Sequence, residues 1–209
     1  MKQLLATMVL CTLFMACEKE TKKEVNETVP NEITEVESND WIYLFDGKTT
    51  EGWRAYEGDS LPPKWFVEEG VLTFDTELMM EDDYTGGADI IYGLEEFDNF
   101  ELYIEWKISK GGNSGIYYHL KEGIPDASPP DISPEYQLID DDNYASIHDL
   151  TKYNTDMGVT ENLQDLQDWQ KTGSDYAMHP ADASQKMLNP VGEWNSTRII
   201  FTPQKVEHW

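Results

Sequence analysis

The residues with the clearest chemical potential form the run Glu135-Tyr136-Gln137-Leu138-Ile139-Asp140. Its aromatic and branched residues predict a strand, in which successive side chains point to opposite faces. Glu135 and Gln137 therefore share one face, and Asp140 joins them only if a β-bulge adds one residue. Three polar groups aligned in this way would suit contacts with a sugar ring. An edge strand with a solvated polar face accounts for the same pattern equally well, so both interpretations stay open at this point.

The elements that must position this run are also predicted to be short strands. Unbroken alternation of apolar and polar residues from Phe100 to Ile108 gives the clearest example. The other predicted strands are Trp65–Val67, Val71–Phe74, Ile90–Tyr92, Asn113–Leu120, Pro134–Asp140 and a hairpin of Thr197–Phe201 with Lys205–Trp209 about Pro203-Gln204. Residues 141–192 break the pattern, and a short helix is expected within Thr160–Lys171. Many short strands between turn residues predict an all-β domain, a β-sandwich or jelly roll.

The charge of the chain restricts its partners. The 209 residues include 15 Lys and Arg against 41 Asp and Glu, a formal net charge of −26. Nucleic acids and anionic membrane surfaces require clustered positive charge, so neither is expected as a partner. A neutral or cationic ligand or a divalent metal ion fits better. Seven Trp and eleven Tyr also suit stacking against neutral sugars, although the same residues build β-cores.

The N-terminus has the pattern of a targeting signal. Lys2 precedes an apolar run from Leu4 to Met15 that is too short to span a bilayer, and Ala16 precedes Cys17. This pattern resembles a bacterial lipoprotein signal over residues 1–16, with Cys17 as the lipidated first residue; an ordinary secretory signal is the alternative. Residues 17–39 are polar and without periodicity, which predicts a flexible acidic tether. The expected location is the bacterial cell envelope, with a lipid anchor in the membrane.

Residues 40–209 as a set resemble the 3-keto-disaccharide hydrolase family. The matching motifs follow one another in order along the chain. They are Leu44-Phe45-Asp46-Gly47-Lys48, Gly52-Trp53, Glu69-Gly70-Val71-Leu72, Phe97-Asp98-Asn99-Phe100-Glu101-Leu102, Asn113-Ser114-Gly115-Ile116, Glu135-Tyr136-Gln137 with Asp140, Gly192-Glu193-Trp194-Asn195 and His208-Trp209. The family pattern continues beyond His208-Trp209, so we expect the domain in this sequence to be a fragment that lacks its last strands.

The resemblance implies a concanavalin-like jelly roll of two curved antiparallel sheets with a site on the concave face. It also implies action on 3-keto-glycosides: lyase cleavage to a 2-hydroxy-3-keto-glucal and hydration of that product, a net hydrolysis. An upstream 3-dehydrogenase that makes keto-sugars would then be a functional partner. A divalent metal ion would suit the task of polarising the ketone, but its ligands are not assigned.

Elimination from a 3-keto-sugar needs a base near C2, an acid near the glycosidic oxygen and a group that stabilises the enolate. By resemblance, the catalytic candidates are Glu135, Asp140, His148 and His208, with Glu135 the first choice. The candidates for substrate binding are Asn113, Gln137, Glu193 and Asn195.

Two other functions are consistent with the sequence. A non-catalytic jelly roll could hold sugar through its aromatic residues without performing chemistry. A conventional glycosidase would need a pair of carboxyl groups, and Gln137 stands where similar laminarinase-type glucanases carry an acid. Turnover of a keto-sugar but not of its parent sugar would separate these possibilities.

Overall fold

The computed structural model describes residues 41–75 and 89–209, and the predicted signal, Cys17 and the tether lie outside these residues. The strands are β1 Trp53–Ala55, β2 Trp65–Glu68, β3 Val71–Phe74, β4 Ile90–Tyr92, β5 Phe100–Trp106, β6 Asn113–Tyr117, β7 Glu135–Ile139, β8 Asn195–Thr202 and β9 Lys205–His208. The helices are α1 Pro129–Ile132, α2 Tyr144–Ile147 and α3 Thr151–Asp156, with a 3-10 turn at Asp168–Gln170. Within the described part of the chain, no helix combines the length and the apolar character needed to cross a bilayer.

Every ladder between these strands is antiparallel. β1 pairs with β4, β2 with β3, β6 with β7, and β5, β8 and β9 form a three-stranded sheet in that order. β8 and β9 are joined at Pro203-Gln204, and Thr202 pairs with Lys205, as the sequence predicts. Proline has no N–H to donate to a ladder, which is why it lies in the turn.

The core lies between the β5–β8–β9 sheet and the β6–β7 ladder. Tyr136 and Leu138 project from one face of β7 and pack against Trp106 and Ile199, and Ile199 is fully buried. The Trp106 indole N–H donates to the Thr197 hydroxyl at 2.9 Å, so its polar atom is satisfied within the core. Two antiparallel layers around one apolar core make this an all-β sandwich, which confirms the fold class predicted from the sequence.

A segment without predicted strand character extends the β6–β7 ladder. Residues 172–176 run antiparallel to β7 on its other edge, where Gly173 N–H donates to Gln137 O and Tyr176 N–H donates to Glu135 O. Tyr136 and Asp175 form a bridge between the two. This pairing places Tyr176 directly opposite Glu135, so the two side chains share a face.

The helix predicted within Thr160–Lys171 is wrong: this part consists of turns and the 3-10 turn at Asp168–Gln170. Asn162 has a positive φ of 52°, which an α-helix does not accommodate. The Asn154 side chain donates to the backbone oxygens of Leu163 and Asp165, and these bonds hold the turns together. Leu166 is buried against Ile139 and Leu150 in a small second core. Its apolar side chain is therefore explained by this core and not by the buried face of a helix.

Candidate active site

Glu135 occupies the centre of a row of three side chains on the β7 face that points away from the core. Tyr117 lies opposite Glu135 on β6, and Tyr176 lies opposite it on the 172–176 segment. Opposite residues of antiparallel strands place their side chains on one face at neighbouring positions. The row therefore sets a carboxyl group between two phenols.

Gly115 makes the room that the Glu135 side chain uses. Gly115 pairs with Gln137, one row away from Glu135. A Cβ on residue 115 would lie 1.7 Å from Glu135 Oε1, so the carboxyl group lies directly over the glycine backbone. Any side chain at this position would displace the carboxyl group.

Burial controls the protonation of Glu135. Burial raises the pKa of Glu135 to about 7, hydrogen bonding from Tyr117 opposes that rise, and the negative charge of Asp89 adds to it. Burial followed by the charge of Glu135 raises the pKa of the Tyr117 hydroxyl, which therefore keeps its proton at neutral pH. A carboxyl group that titrates near pH 7 can accept or deliver a proton with comparable ease, and this is the property of a general acid or base.

Aromatic and amide side chains surround Tyr176. Its hydroxyl oxygen lies 2.5 Å from that of Tyr153 on α3, and its ring meets Trp169 edge-on at 5.7 Å between ring centroids. These residues were not among those predicted from the sequence. The one local feature that could have indicated them is the presence of several aromatic residues in an irregular segment.

Asp140 does not share the Glu135 face. β6 and β7 pair one-to-one from Glu135 to Ile139, so the ladder between them contains no bulge. The Asp140 carboxylate instead accepts backbone N–H groups of Gly111, Asp142 and Asn143 and the Asn143 side-chain amide. Its position is that of a buried acceptor that organises the turn after β7.

His148 lies near this turn and not near Glu135. Its ring packs against that of Tyr144 in a tilted arrangement with 4.2 Å between ring centroids, and its Nε2 donates to Gly111 O at 2.9 Å. Asp140 therefore binds the N–H of Gly111, and His148 binds the carbonyl of the same residue. The contacts of both side chains hold this turn, and none of them is with Glu135.

Gln137 shares the Glu135 face, as the sequence predicts, but only 2% of its surface is exposed. Its Oε1 accepts the N–H of Leu138 at 3.1 Å. Asn113 is exposed and pairs with Ile139, at the far end of the same ladder. Of these two binding candidates, only Gln137 adjoins the Glu135 row.

Comparison with known proteins assigns the chain to a family. Residues 40–209 match the family described as the 3-keto-alpha-glucoside-1,2-lyase-like domain. The chain belongs to this family. A 3-keto-disaccharide hydrolase of Bacteroides thetaiotaomicron is 37% identical over 181 residues, which are 83% of this chain and 56% of that protein.

A crystal structure of a provisionally assigned glycosyl hydrolase from Parabacteroides distasonis supports the fold. It aligns with a TM-score of 0.63 and 38% identity over 79% of this chain and 66% of that one. The chain therefore spans 56% of the length of the Bacteroides hydrolase and 66% of that of the Parabacteroides protein.

His208, which matches the family's His-Trp element, faces the core. Its Nδ1 lies 3.2 Å from Gly173 O and its Nε2 lies 2.9 Å from the Tyr118 hydroxyl. A carbonyl only accepts, so Nδ1 carries the proton and Nε2 accepts from Tyr118. Burial lowers the pKa of His208, which favours this neutral form. Its ring contacts Tyr136, on the β7 face opposite to Glu135.

Glu193 and Asn195 lie at the start of β8, away from the Glu135 row. Asn195 is buried, and its Oδ1 accepts the N–H of Asn189 at 2.8 Å. It also lines a shallow groove of about 200 Å³ beside Trp194. Glu193 is exposed. Glu193 belongs to the turn that leads into β8, and Asn195 is the first residue of that strand.

The described residues offer no ready-made metal centre. Among residues 41–75 and 89–209, no three His, Cys, Asp or Glu side chains converge closely enough to hold an ion. Within this part of the chain, the divalent metal ion that would suit polarisation of the ketone has no set of three such ligands.

Proposed function

We propose that this domain cleaves the glycosidic bond of 3-keto-glycosides and that Glu135 transfers the proton. Membership of the lyase-like family and the similarity to a 3-keto-disaccharide hydrolase support the substrate class. The observation that carries the residue assignment is the half-buried Glu135 carboxyl group, with a pKa of about 7, set between Tyr117 and Tyr176. A neutral substrate also suits a chain with a formal net charge of −26.

The chemistry follows from the ketone. The C3 carbonyl acidifies the C2–H bond, so the Glu135 carboxylate takes that proton and the electron pair forms an enolate. The enolate then expels the oxygen substituent at C1, which leaves as the alcohol after protonation, and a 2-hydroxy-3-keto-glucal remains. Water adds across its C1–C2 double bond and gives the free 3-keto-sugar. Neutral phenols beside the carboxyl group can donate hydrogen bonds to the oxygen on which negative charge develops.

Two substrates and one isotope label test the proposal. The protein is incubated with an aryl 3-keto-glucoside deuterated at C2 and with the parent glucoside. Elimination predicts cleavage of only the keto form, with loss of the deuterium to solvent. Cleavage with full retention of deuterium would instead indicate direct displacement at C1. Binding of the keto-sugar without turnover would favour the non-catalytic module.

Substitution of the proton-transfer group completes the test. Glu135→Gln keeps the shape of the side chain but removes its titration, so we expect turnover to fall on the order of 100-fold or more. Glu105→Gln, on the exposed β5 face, is the matched control and should keep the wild-type rate. A Glu135→Gln variant with a near wild-type rate would remove Glu135 from the mechanism.

We also propose that the protein acts at the bacterial cell envelope through lipidated Cys17, with residues 17–39 as its tether. The proposal rests on the apolar run that ends at Ala16-Cys17. Its substrates would have to come from an oxidation at C3 by a sugar 3-dehydrogenase. Mass spectrometry of the mature protein tests the anchor, and an unmodified N-terminus at any other residue would refute it.

A further inference from the structure

A backbone amide fixes the direction of a hydrogen-bond chain beside Glu135. Gln170 is 3% exposed, and its Oε1 accepts the N–H of Gln167 at 2.7 Å. Only the oxygen of a side-chain amide can accept from an N–H group. The orientation of the Gln170 amide is therefore set, and its NH₂ group is the end left for other partners.

The next member of the chain is Tyr176. Burial raises the pKa of the Tyr176 hydroxyl, and hydrogen bonding with Gln170 opposes that rise. The Gln170 NH₂ group can only donate, so a hydrogen bond from it to the Tyr176 oxygen would leave the Tyr176 proton for Tyr153. The oxygens of Tyr176 and Tyr153 are 2.5 Å apart, a distance at which one hydroxyl donates to the other.

The chain ends in a donor. Either hydroxyl could donate across the 2.5 Å contact, and in the direction favoured by Gln170 the Tyr153 oxygen accepts from Tyr176. The Tyr153 proton then points elsewhere, and among the described residues Tyr153 has no second hydrogen-bond partner. Tyr153 is 39% exposed, which leaves this hydroxyl open to a ligand. Successive hydrogen bonds polarise one another, so the last O–H in the chain is a stronger donor than an isolated phenol.

This donor lies beside the proposed reaction site. Tyr176 is directly opposite Glu135 in the ladder, and Trp169 supports the Tyr176 ring from its edge. We propose that the Tyr153 hydroxyl, oriented by Gln170 and Tyr176, binds the C3 ketone oxygen and makes the site prefer keto-sugars to their parent sugars. This inference rests on the proposed function, because it names the group that recognises the substrate of that same site.

The preference follows from the chemistry of the two oxygens. A ketone oxygen only accepts hydrogen bonds, whereas a C3 hydroxyl bound to the same donor must find a separate acceptor for its proton. The interaction also strengthens as negative charge develops on the ketone oxygen during enolate formation. Tyr153 should therefore contribute more to turnover than to substrate binding.

Phenylalanine variants test the assignment. Tyr153→Phe should lower kcat on a 3-keto-glucoside on the order of 100-fold with a smaller change in KM. It should also abolish the preference for 3-keto-glucose over glucose in NMR titrations. Tyr103→Phe is the matched control, because Tyr103 is an exposed tyrosine on β5 that bonds Glu105. Thermal unfolding verifies that each variant is folded.

The outcomes separate this inference from the proposed function. Wild-type protein that prefers 3-keto-glucose but turns nothing over would refute the enzymatic function, and loss of that preference in Tyr153→Phe would still support the donor assignment. Equal affinity of the wild type for both sugars would overturn the inference. A Tyr153→Phe variant whose kcat and sugar preference match those of Tyr103→Phe would also overturn it.

Discussion

The Glu135 carboxyl group lies across the backbone of Gly115, and a Cβ on residue 115 would come within 1.7 Å of Glu135 Oε1. The atoms in conflict belong to the end of a flexible side chain and not to the backbone. A methyl group at this position can therefore be accommodated by rotation of Glu135, at the expense of its position between the two tyrosines. Residue 115 thus controls the placement of the carboxyl group more than the stability of the fold.

We predict that Gly115→Ala lowers kcat/KM on a 3-keto-glucoside on the order of 100-fold and changes the free energy of unfolding by about 1 kcal/mol or less. Steady-state kinetics and urea unfolding measure the two quantities. Ser114→Ala, an exposed neighbour on the same strand, is the control and should be neutral in both. An active Gly115→Ala variant would show that the observed position of Glu135 is not the reactive one.

The pH dependence of turnover depends on the protonation of Glu135. Burial raises the pKa of Glu135 to about 7, and the carboxylate is the form that takes the C2 proton. We predict that kcat/KM increases about tenfold per pH unit below pH 7 and levels off above it. Initial rates in overlapping buffers from pH 5.5 to 8.5 give the profile. A flat profile, or one that falls as the pH rises, would contradict the role of base.

The same carboxyl group makes stability depend on pH. Its pKa is about 7 in the folded protein against 4.5 for an unperturbed glutamate, and burial is the largest cause. Between these values the folded state keeps a proton that the unfolded state releases, so wild-type stability falls as the pH rises through this window.

Glu135→Gln does not titrate. We therefore predict that its stability relative to the wild type increases from pH 4.5 to pH 7 and then stays constant. Urea unfolding of both proteins at pH 5 and pH 8 measures the difference. An equal difference at both pH values would show that Glu135 titrates normally in the fold.

The sequence predicted the elements around this site better than the site itself. Alternation correctly predicted that Glu135 and Gln137 share one face of the strand, opposite to Tyr136 and Leu138. The structure shows that the face of Tyr136 and Leu138 packs into the core. The alternation could not predict how β7 pairs with β6, because the same residues are compatible with a β-bulge and with a regular ladder. Only the regular pairing shows that Asp140 leaves the face of Glu135.

Tyr176 was missed for a physical reason. The segment Thr172-Gly173-Ser174-Asp175-Tyr176 has Thr172 as its one β-branched residue, and its pairing depends on contacts with β7. The Thr172 hydroxyl donates to Ile139 O and accepts Ile139 N–H, a side-chain link that no local pattern indicates. Such tertiary contacts override weak strand propensity.

The contacts of Asp140 predict a structural role. Burial alone would raise the pKa of Asp140, but hydrogen bonds from Gly111, Asn143 and Asp142 outweigh burial and hold its pKa below the usual range. We predict that Asp140→Ala reduces the free energy of unfolding on the order of 3 kcal/mol, because four part-buried hydrogen bonds lose their acceptor. Chemical denaturation at pH 7 measures the loss. A stable Asp140→Ala variant without turnover would instead restore the catalytic role suggested by the family resemblance.

His208 makes the stability of the fold depend on pH in the direction opposite to Glu135. Burial lowers the pKa of His208 below 6.5, so the unfolded state takes up a proton more readily as the pH falls below that value. The hydrogen bond with Tyr118 thus stabilises the fold above pH 6.5 and progressively less below it. We predict that His208→Phe lowers the free energy of unfolding by about 1–3 kcal/mol at pH 7.5, since the buried Tyr118 hydroxyl loses its partner.

The difference in the free energy of unfolding between His208→Phe and the wild type should be smaller at pH 5.5. At that pH the unfolded wild type binds a proton more readily at His208 than the folded protein does, which lowers the stability of the wild type. Turnover of a 3-keto-glucoside by the folded variant should stay within a few fold of the wild type, because His208 contacts Tyr136 on the core side of β7. His179→Phe, an exposed histidine, is the control for loss of an imidazole. A His208→Phe variant with unchanged stability and no turnover would assign His208 to the reaction and would imply a rearrangement of β9 in the active protein.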